Sequence, residues 1–589
     1  MNSETKICQN CKNQFTIEPD DFAFYEKMKV PAPTWCPECR LQRRMSFRNE
    51  RILYRRNCDL CGRQIISMYS TDKPFPVYCP DCWWSDKWEA PRLDLEINSS
   101  NVLLSQFQKL QLKVPKLALT NSQSINSAYT HFATENKNCY LLFSAWRSED
   151  CYYGTRVFTS KDCLDCYNIF DSNNCYECID GERNSNLRWG QKCEDCIDSV
   201  LLFDCRGCSD CVACEGLRHK KFYFLNQPVE KNEIPLIKEH FLSDTQFRRE
   251  TVEKWEKLKL SRPHKFANLV KTTNVIGDNV FNSKNCLHCF SLNRGEDSTR
   301  TFPGNDIKDS HDITYTDGSE LVYDSMSLDH VYDVAFSSIV WGESRNVRYS
   351  ANLLLSCSDC IFCDGLRNKQ YCILNKQYTK EEYEALISRI IAHMNEMPYT
   401  DQKGRVYKYG EFFPPDLSPF CYNETIAQEY FPLTKEQATQ QGYKWRDPEK
   451  RNYEITVMSN DLPDYIKDVK DDILNQVIGC AHEQKCNEQC TQAFKIIPEE
   501  LTFYKRMNLP LPHFCPNCRH YQRIKQRNPL KLWHRKCQCG GQKSENGVYQ
   551  NTVQHSHGSS RCPNSFETTY APERKEIVYC EKCYQSEVV

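Results

Sequence analysis

No apolar run in this 589-residue sequence approaches the ~20 residues that a bilayer-spanning helix needs. The opening residues, Met1 to Lys6, carry neither the basic stretch nor the apolar core of a secretory signal, so export is not expected. Net charge is nearly absent as well, with 76 Lys and Arg against 78 Asp and Glu. There is no Gly-x-x-x-x-Gly-Lys phosphate loop, no Gly-x-Ser-x-Gly elbow and no His-Glu-x-x-His helix. The commonest NTPase, hydrolase and metalloprotease signatures are therefore missing. Disorder is equally disfavoured, because 40% hydrophobic and 26% charged residues is the composition of a folded chain. The length exceeds the roughly 100–200 residues of one ordinary domain.

What is abundant is cysteine, at 37 residues. An odd number cannot pair completely within one chain. Most of the thiols stand as Cys-x-x-Cys, too close for a typical structural disulfide and at the usual spacing of a metal knuckle. A reduced, cytoplasmic setting is the expectation.

The two ends of the chain repeat each other. Adding 479 to positions 11–58 gives a gapless match in which 19 of 48 residues are identical, among them Cys11/Cys490, Phe24-Tyr25/Phe503-Tyr504, Cys36-Pro37/Cys515-Pro516, Cys39-Arg40/Cys518-Arg519 and Cys58/Cys537. After an insertion the match resumes at Val77-Tyr78-Cys79 and Cys82, against Val578-Tyr579-Cys580 and Cys583. Each copy offers two tetrahedral thiolate sets of the kind zinc takes. In the first copy they are Cys8, Cys11, Cys36, Cys39 and Cys58, Cys61, Cys79, Cys82. In the second, Cys490, Cys515 and Cys518 need a fourth ligand from Cys486, Cys480 or His482, with Cys486 favoured, because Asn487 stands where Cys8 maps. The last set reads as Cys537, Cys539, Cys580 and Cys583. About four structural zinc ions are expected, each saturated by protein ligands. His555, His557 and Cys562 lie in the C-terminal insertion and read as a surface loop rather than a further metal site.

Cys8-x-x-Cys11, Phe15, Phe24-Tyr25, Met28, Pro31, Cys36-Pro37 and Cys39-Arg40 together resemble the treble-clef or zinc-ribbon modules of uncharacterised bacterial proteins. The resemblance covers some 40 residues at each end. The whole chain is similar to large cysteine-rich proteins of candidate-phylum bacteria. This implies a metal and a module fold, and no activity.

Behind each Cys-Pro-x-Cys the chain turns basic. Arg40, Arg44, Arg48, Arg51 and Arg55 recur at helical spacing, and Arg519, Arg523, Arg527 and Arg535 follow the second copy. Interleaved aromatics (Trp35, Phe47 and Tyr54; Phe514, Tyr521 and Trp533) make nucleic acid, RNA above all, one expected partner. Docking of the same arginines on an acidic protein, or on the chain's own acidic middle, is the other.

The middle beats in multiples of six. Cys139, Cys151, Cys163 and Cys175 are each twelve apart, most preceded by Asn or Asp. Side chains at i and i+3 both point inward only if a bend separates them, and Asn and Asp tolerate left-handed corners. This pattern predicts a β-solenoid with coils of 12 or 24 residues. A second copy is marked by Cys357, Cys360, Cys363-Asp364-Gly365-Leu366-Arg367, echoing Cys208, Cys211, Cys214-Glu215-Gly216-Leu217-Arg218. There Lys308-Asp309-Ser310 replaces Lys161-Asp162-Cys163, so the middle cysteines read as small buried fillers. The middle is acidic, with twelve Asp/Glu against four Lys/Arg from Asp162 to Glu215.

The expected architecture is mainly β with helical insertions: a zinc module (1–95), a first solenoid repeat (96–226), a helical insertion (227–262), a second repeat (263–375), a helix (376–397), a connector (398–479) and a second zinc module (480–589). Within the connector, Asp464 to Ile478 reads as an amphipathic helix. The expected function is a non-enzymatic zinc protein that binds nucleic acid or a nucleoprotein. A protein–protein scaffold is the alternative, and a carbohydrate-active β-helix enzyme the weaker one. Nothing indicates a membrane, and the oligomeric state is not legible.

Overall fold

The computed structural model describes residues 2–98, 100–447, 453–483 and 485–588. The chain is mainly β with helices and divides into two compact units, 1–119 with 267–447 and 120–266 with 448–589. Each unit thus joins one terminal cysteine module to one stretch of the middle, and the pairing is crossed. The N-terminal module belongs with the second repeat and the C-terminal module with the first.

In the second of these units an 11-stranded sheet runs in sequence order from Asn121–Ser122 to Gln227–Pro228. Its ladder is parallel throughout except for the closing hairpin. Register settles the period at twelve: Thr155 pairs with Tyr167, Tyr167 with Ile179, Ile179 with Gln191, Ile197 with Ser209, and Ser209 with Lys221. Further parallel bridges at the same spacing link Lys137, Glu149, Lys161 and Asn173, and separately Tyr140, Tyr152, Leu164 and Tyr176.

The backbone explains the sequence pattern. Every third residue adopts left-handed φ, as in the run Asp162 (53°), Asp165 (57°), Asn168 (55°), Asp171 (47°) and Asn174 (55°). An ordinary residue gives up about 1 kcal/mol in that region, and Asn and Asp less, because their short side chains hydrogen-bond locally. The acidity of the middle is therefore largely the chemistry of its corners. Corner amides also bridge successive rungs: Asn126 donates to Asn138 (3.0 Å) and Asn138 to Asp150 (3.1 Å).

The residue after each corner points into a narrow core of Cys139, Leu142, Ala145, Cys151, Val157, Cys163, Cys166, Ile169 and their successors. These thiols act as small donors. Cys163 Sγ donates to the Lys161 carbonyl at 3.2 Å, and Ser310 Oγ makes the same contact to Lys308 at 2.7 Å in the second ladder. Cysteine and serine are interchangeable there because both satisfy one carbonyl while filling little space. Two helices, Glu233–Ser243 and Thr245–Ser261, break at Asp244, whose carboxylate caps the second by accepting from the Phe247 amide. Trp255 is buried and donates its indole N–H to the Cys214 carbonyl (3.2 Å). The stretch expected as an amphipathic helix over Asp464 to Ile478 forms only short 3-10 turns, Ile466–Asp468 and Asp471–Asn475. Its apolar residues Ile466, Val469 and Ile473 still pack into the unit's core.

The first unit carries its own 11-stranded sheet, with rungs of 11 to 13 residues: Thr273 pairs with Lys284, Thr299 with His311, and Tyr332 with Arg345. Here Val322, Val334, Val340 and Val347 fill positions that thiols fill in the other ladder. The helix Lys380–Glu396 starts at the capping box Thr379/Glu382. Aromatic residues of the following segment, Tyr407, Tyr409, Phe412 and Phe413, close the core against Phe47, Phe107 and Tyr349.

Candidate metal centres

Each cysteine site is built by a hairpin and a helix start. Strands Glu4–Ile7 and Gln14–Ile17 pair antiparallel, and their tight turn presents Cys8 and Cys11. Cys36 is the N-cap of the helix Pro37–Met45, and Cys39 lies in its first turn. Proline at the first helical position fixes where this helix begins, because its missing N–H is one that no helical partner would satisfy. The Cys36 amide donates to Cys8 Sγ at 3.2 Å, and Cys11 Sγ lies 3.7 Å from Cys36 Sγ. The second site repeats the design with Cys58 and Cys61 in the turn between Tyr54–Asn57 and Gln64–Ser67, and Cys79 capping Pro80–Trp83. The Cys79 amide donates to Cys58 Sγ (3.3 Å) and Cys61 Sγ lies 4.0 Å from Cys79 Sγ. A tetrahedron with metal–sulfur bonds of about 2.3 Å has edges of about 3.8 Å, so these separations fit four thiolates around one zinc-sized ion. Both expected N-terminal sets are brought together intact.

The C-terminal sets differ from expectation. The third site is Cys480, Cys490, Cys515 and Cys518. Cys480, not Cys486, completes it, because strand pairing of Ile478–Gly479 with Ala493–Phe494 puts Cys480 at the head of the turn. The Cys515 amide donates to Cys480 Sγ at 3.3 Å, as Cys36 does to Cys8. Cys486 lies in the enlarged loop, its sulfur 3.8 Å from Cys518 Sγ. The fourth site is Cys537, Cys562, Cys580 and Cys583, with Cys562 in place of the expected Cys539. The insertion falls inside the turn itself: Trp533–Lys536 pairs with Ser565–Thr568, so Cys562 occupies the place of Cys61. Cys562 Sγ is 3.8 Å from Cys580 Sγ, and the Cys580 amide donates to Cys537 Sγ at 3.2 Å. Cys562 is followed at the same spacing by a donor to the helix-capping sulfur: Asn564 to Cys580, as Arg63 to Cys79 (both 3.3 Å). No sequence spacing marked Cys562, because the insertion separates it from Cys537.

Cys539 joins His555, His557 and Cys583 in a fifth group. The expectation of a plain surface loop around the two histidines is corrected by their geometry, since His555 Nδ1 lies 3.1 Å from Cys539 Sγ and His557 Nε2 3.3 Å from Cys583 Sγ.

Hydrogen bonds shared within a set hold the Cys8 thiol far below its usual range while pushing Cys39 up, and hold Cys515 down while pushing Cys518 up. Thiolate is the form a metal takes.

The arginines behind the helices turn inward. The helix ends at Met45, so Arg48 and Arg51 lie past it, and the exposed Arg55 lies in a strand. Arg40 pairs with Asp312 at 2.9 Å, Arg44 with Asp324 at 2.5 Å, and Arg48 donates to Ser327 Oγ at 2.6 Å. Arg43, which lies off the Arg40-Arg44-Arg48 spacing, is fully buried between Asp324 (3.1 Å) and Glu411 (3.2 Å), over the Trp35 ring. In the other unit Arg519 (2.5 Å) and Arg523 (2.8 Å) share Asp165, and Arg527 pairs with Asp180 at 2.9 Å. Arg535 donates to the Ala571 carbonyl at 3.3 Å. Burial alone would lower the Arg40 pKa, and Asp312 together with Tyr323, Tyr25 and Asp324 more than reverses it. The expected polyanion-binding stripe is thus largely spent inside the units: Arg40, Arg44, Arg48, Arg519 and Arg523 are buried.

No family model matches the chain. No curated protein matches it either. Among solved structures it is similar to a chain from Desulfovibrio desulfuricans G20 titled "putative acetyltransferase", at 10% identity over 50% of this chain and 78% of that one, with a TM-score of 0.11. The expectation of a non-enzyme is withdrawn, because missing motifs and saturated thiolate sites do not exclude catalysis. The likeness is too slight to assign an activity or a fold. Among the described residues no helix is long and apolar enough to cross a membrane.

Proposed function

We propose that the protein is a zinc-clamped scaffold for protein–protein contacts in a reducing compartment. In this reading each parallel ladder winds as a β-solenoid of about twelve-residue coils, and the modules are treble-clef or zinc-ribbon folds. One observation carries it: the basic helix behind each Cys-Pro-x-Cys is docked on the ladder of its own unit, through Arg40 on Asp312 and Arg519 on Asp165. The zinc sites fix those helix starts, and the helices fix the ladders. What is left for partners is the outer surface of the ladders, with its rows of Asn and Asp corners.

Nucleic-acid contact is the competing reading, and it would rest on surface cations such as Arg55 rather than on the buried stripe. Two measurements separate the readings. Zinc chelation should strip amide-exchange protection from the helices Pro37–Met45 and Pro516–Lys525 together with the metal, and unchanged protection would overturn the clamp. RNA or DNA affinity at 50 mM salt should be absent, and a tight, steeply salt-dependent complex would favour the nucleic-acid reading instead.

A further inference from the structure

We propose that the C-terminal module holds two metal ions bridged by the sulfur of Cys583. This rests on the zinc reading of the thiol tetrads and extends it to a site of different composition.

Cys583 belongs to two ligand sets at once. One is Cys537, Cys562, Cys580 and Cys583, and the other is Cys539, His555, His557 and Cys583. Within each set the ligand atoms all lie within 4.8 Å of one another. Seven donors are too many for one tetrahedral ion, whereas two ions with a shared thiolate use every one of them. The site is enclosed: Cys537, Cys539 and Cys583 are at most 2% exposed and His555 is 4% exposed.

The surroundings of the histidines are those of ligands. Each ring turns one nitrogen to the sulfurs and engages the other elsewhere. His555 presents Nδ1 to Cys539 while its Nε2 lies 2.7 Å from Glu587 Oε1. Glu587 is itself fixed, because its Oε2 accepts from the Tyr549 hydroxyl (2.7 Å) and from the amide (2.9 Å) and hydroxyl (2.8 Å) of Thr552. His557 presents Nε2 to Cys583 and donates from Nδ1 to the Ser560 carbonyl at 2.7 Å. A carboxylate or carbonyl on the far nitrogen is the usual way a protein fixes tautomer and orientation of a metal-bound histidine. Cys539 Sγ accepts from Asn551 Nδ2 at 3.2 Å, and Asn551 is held in turn by the Tyr579 hydroxyl at 2.8 Å.

The sequence supplies a reason for the insertion. Cys58 and Cys61 are joined by the two residues of a tight turn, whereas Cys537 and Cys562 are separated by a segment that carries Cys539, His555 and His557. That segment folds back over the site instead of away from it. Two divalent ions bring four positive charges against five thiolates, so the buried cluster carries about one net negative charge rather than the larger excess of uncompensated thiolates.

The test is cadmium-113 substitution of the full chain with NMR and metal counting. The expected result is five cadmium ions per chain from the sites named above, four in cysteine tetrads and one more, with two resonances split by mutual coupling through the shared sulfur. His557→Ala removes a half-buried ring from the rim of the site, so it spares the core. It should lower the count by one, abolish the splitting and leave four uncoupled resonances. Four cadmium ions in the unaltered protein, or five with no coupling, would overturn the bridge while leaving the thiol tetrads standing. Fewer than four would instead sink the zinc reading on which the bridge rests.

Discussion

Arg40 and Asp312 face each other at 2.9 Å with side-chain exposures of 2% and 0%, and Arg519 and Asp165 repeat the pair at 2.5 Å with the same exposures. The two arginines are 479 residues apart, the offset of the terminal repeat, and the two aspartates 147, the offset between Lys161-Asp162 and Lys308-Asp309. One docking geometry has therefore been used twice, with modules and ladders crossed. Asp312 also meets Arg44 and Arg300, and it stays ionised because these three cations outweigh its burial.

Breaking such a pair from one side strands a buried charge. Asp312→Ala is expected to destabilise the protein by roughly 3–5 kcal/mol in urea unfolding, as is Asp165→Ala. Combining Arg519→Met with Asp165→Leu should recover little of that loss, since buried Arg523 loses Asp165 and buried Glu500 loses Arg519. A single Asp312→Ala costing under about 1 kcal/mol would show that the docking contributes little.

Metal stoichiometry separates neighbouring cysteines. Cys480→Ser should release one zinc and weaken the start of the helix Pro516–Lys525, whereas Cys486→Ser should keep the full complement. The same comparison applies to Cys562→Ser, expected to lose metal from the fourth site. Elemental analysis of the purified variants decides, and retention of all zinc in Cys480→Ser would contradict the ligand set.

The ladder interior tolerates chemistry better than volume. Cys163→Ser reproduces Ser310 of the other ladder and should cost under about 1.5 kcal/mol, with little change in melting temperature. Gly190→Ala should cost about 1–3 kcal/mol, because a Cβ there would collide with the Leu187 side chain. Equal melting temperatures for the two variants would mean the core is looser than its packing indicates.

One buried acid sets a pH dependence. Burial pushes the Glu215 carboxyl up to about 8, with Asp204 adding to the rise and Arg262 and Arg218 opposing it. Between the unfolded carboxyl value, near 4.3, and about 8, the folded chain holds a proton that the unfolded chain has lost, so stability falls as pH rises through that window. Glu215→Gln should match the unaltered protein at pH 5 and exceed it by roughly 2–4 kcal/mol at pH 8. A constant difference across pH in thermal unfolding would exclude this assignment.

Features that depend on local spacing were legible before any fold. The two N-terminal thiol sets follow from Cys-x-x-Cys turns and Cys-Pro helix starts, which need only a few residues each. The twelve-residue spacing of the cysteines and the Asn and Asp before them were legible, because left-handed corners restrict the residue type, while strand register chose coils of twelve over twenty-four. Tertiary structure decided what depends on which segments meet. Cys480 and Cys562 joined the thiol tetrads through strand pairing across long loops, which a gapless match cannot see. The fate of the arginines was decided in the same way. A basic stripe has the same composition whether it faces solvent or an aspartate some 270 or 350 residues away in sequence, and only the fold brought Arg40 to Asp312 and Arg519 to Asp165. Charge patterns report which groups must be compensated, and long-range packing chooses the partner.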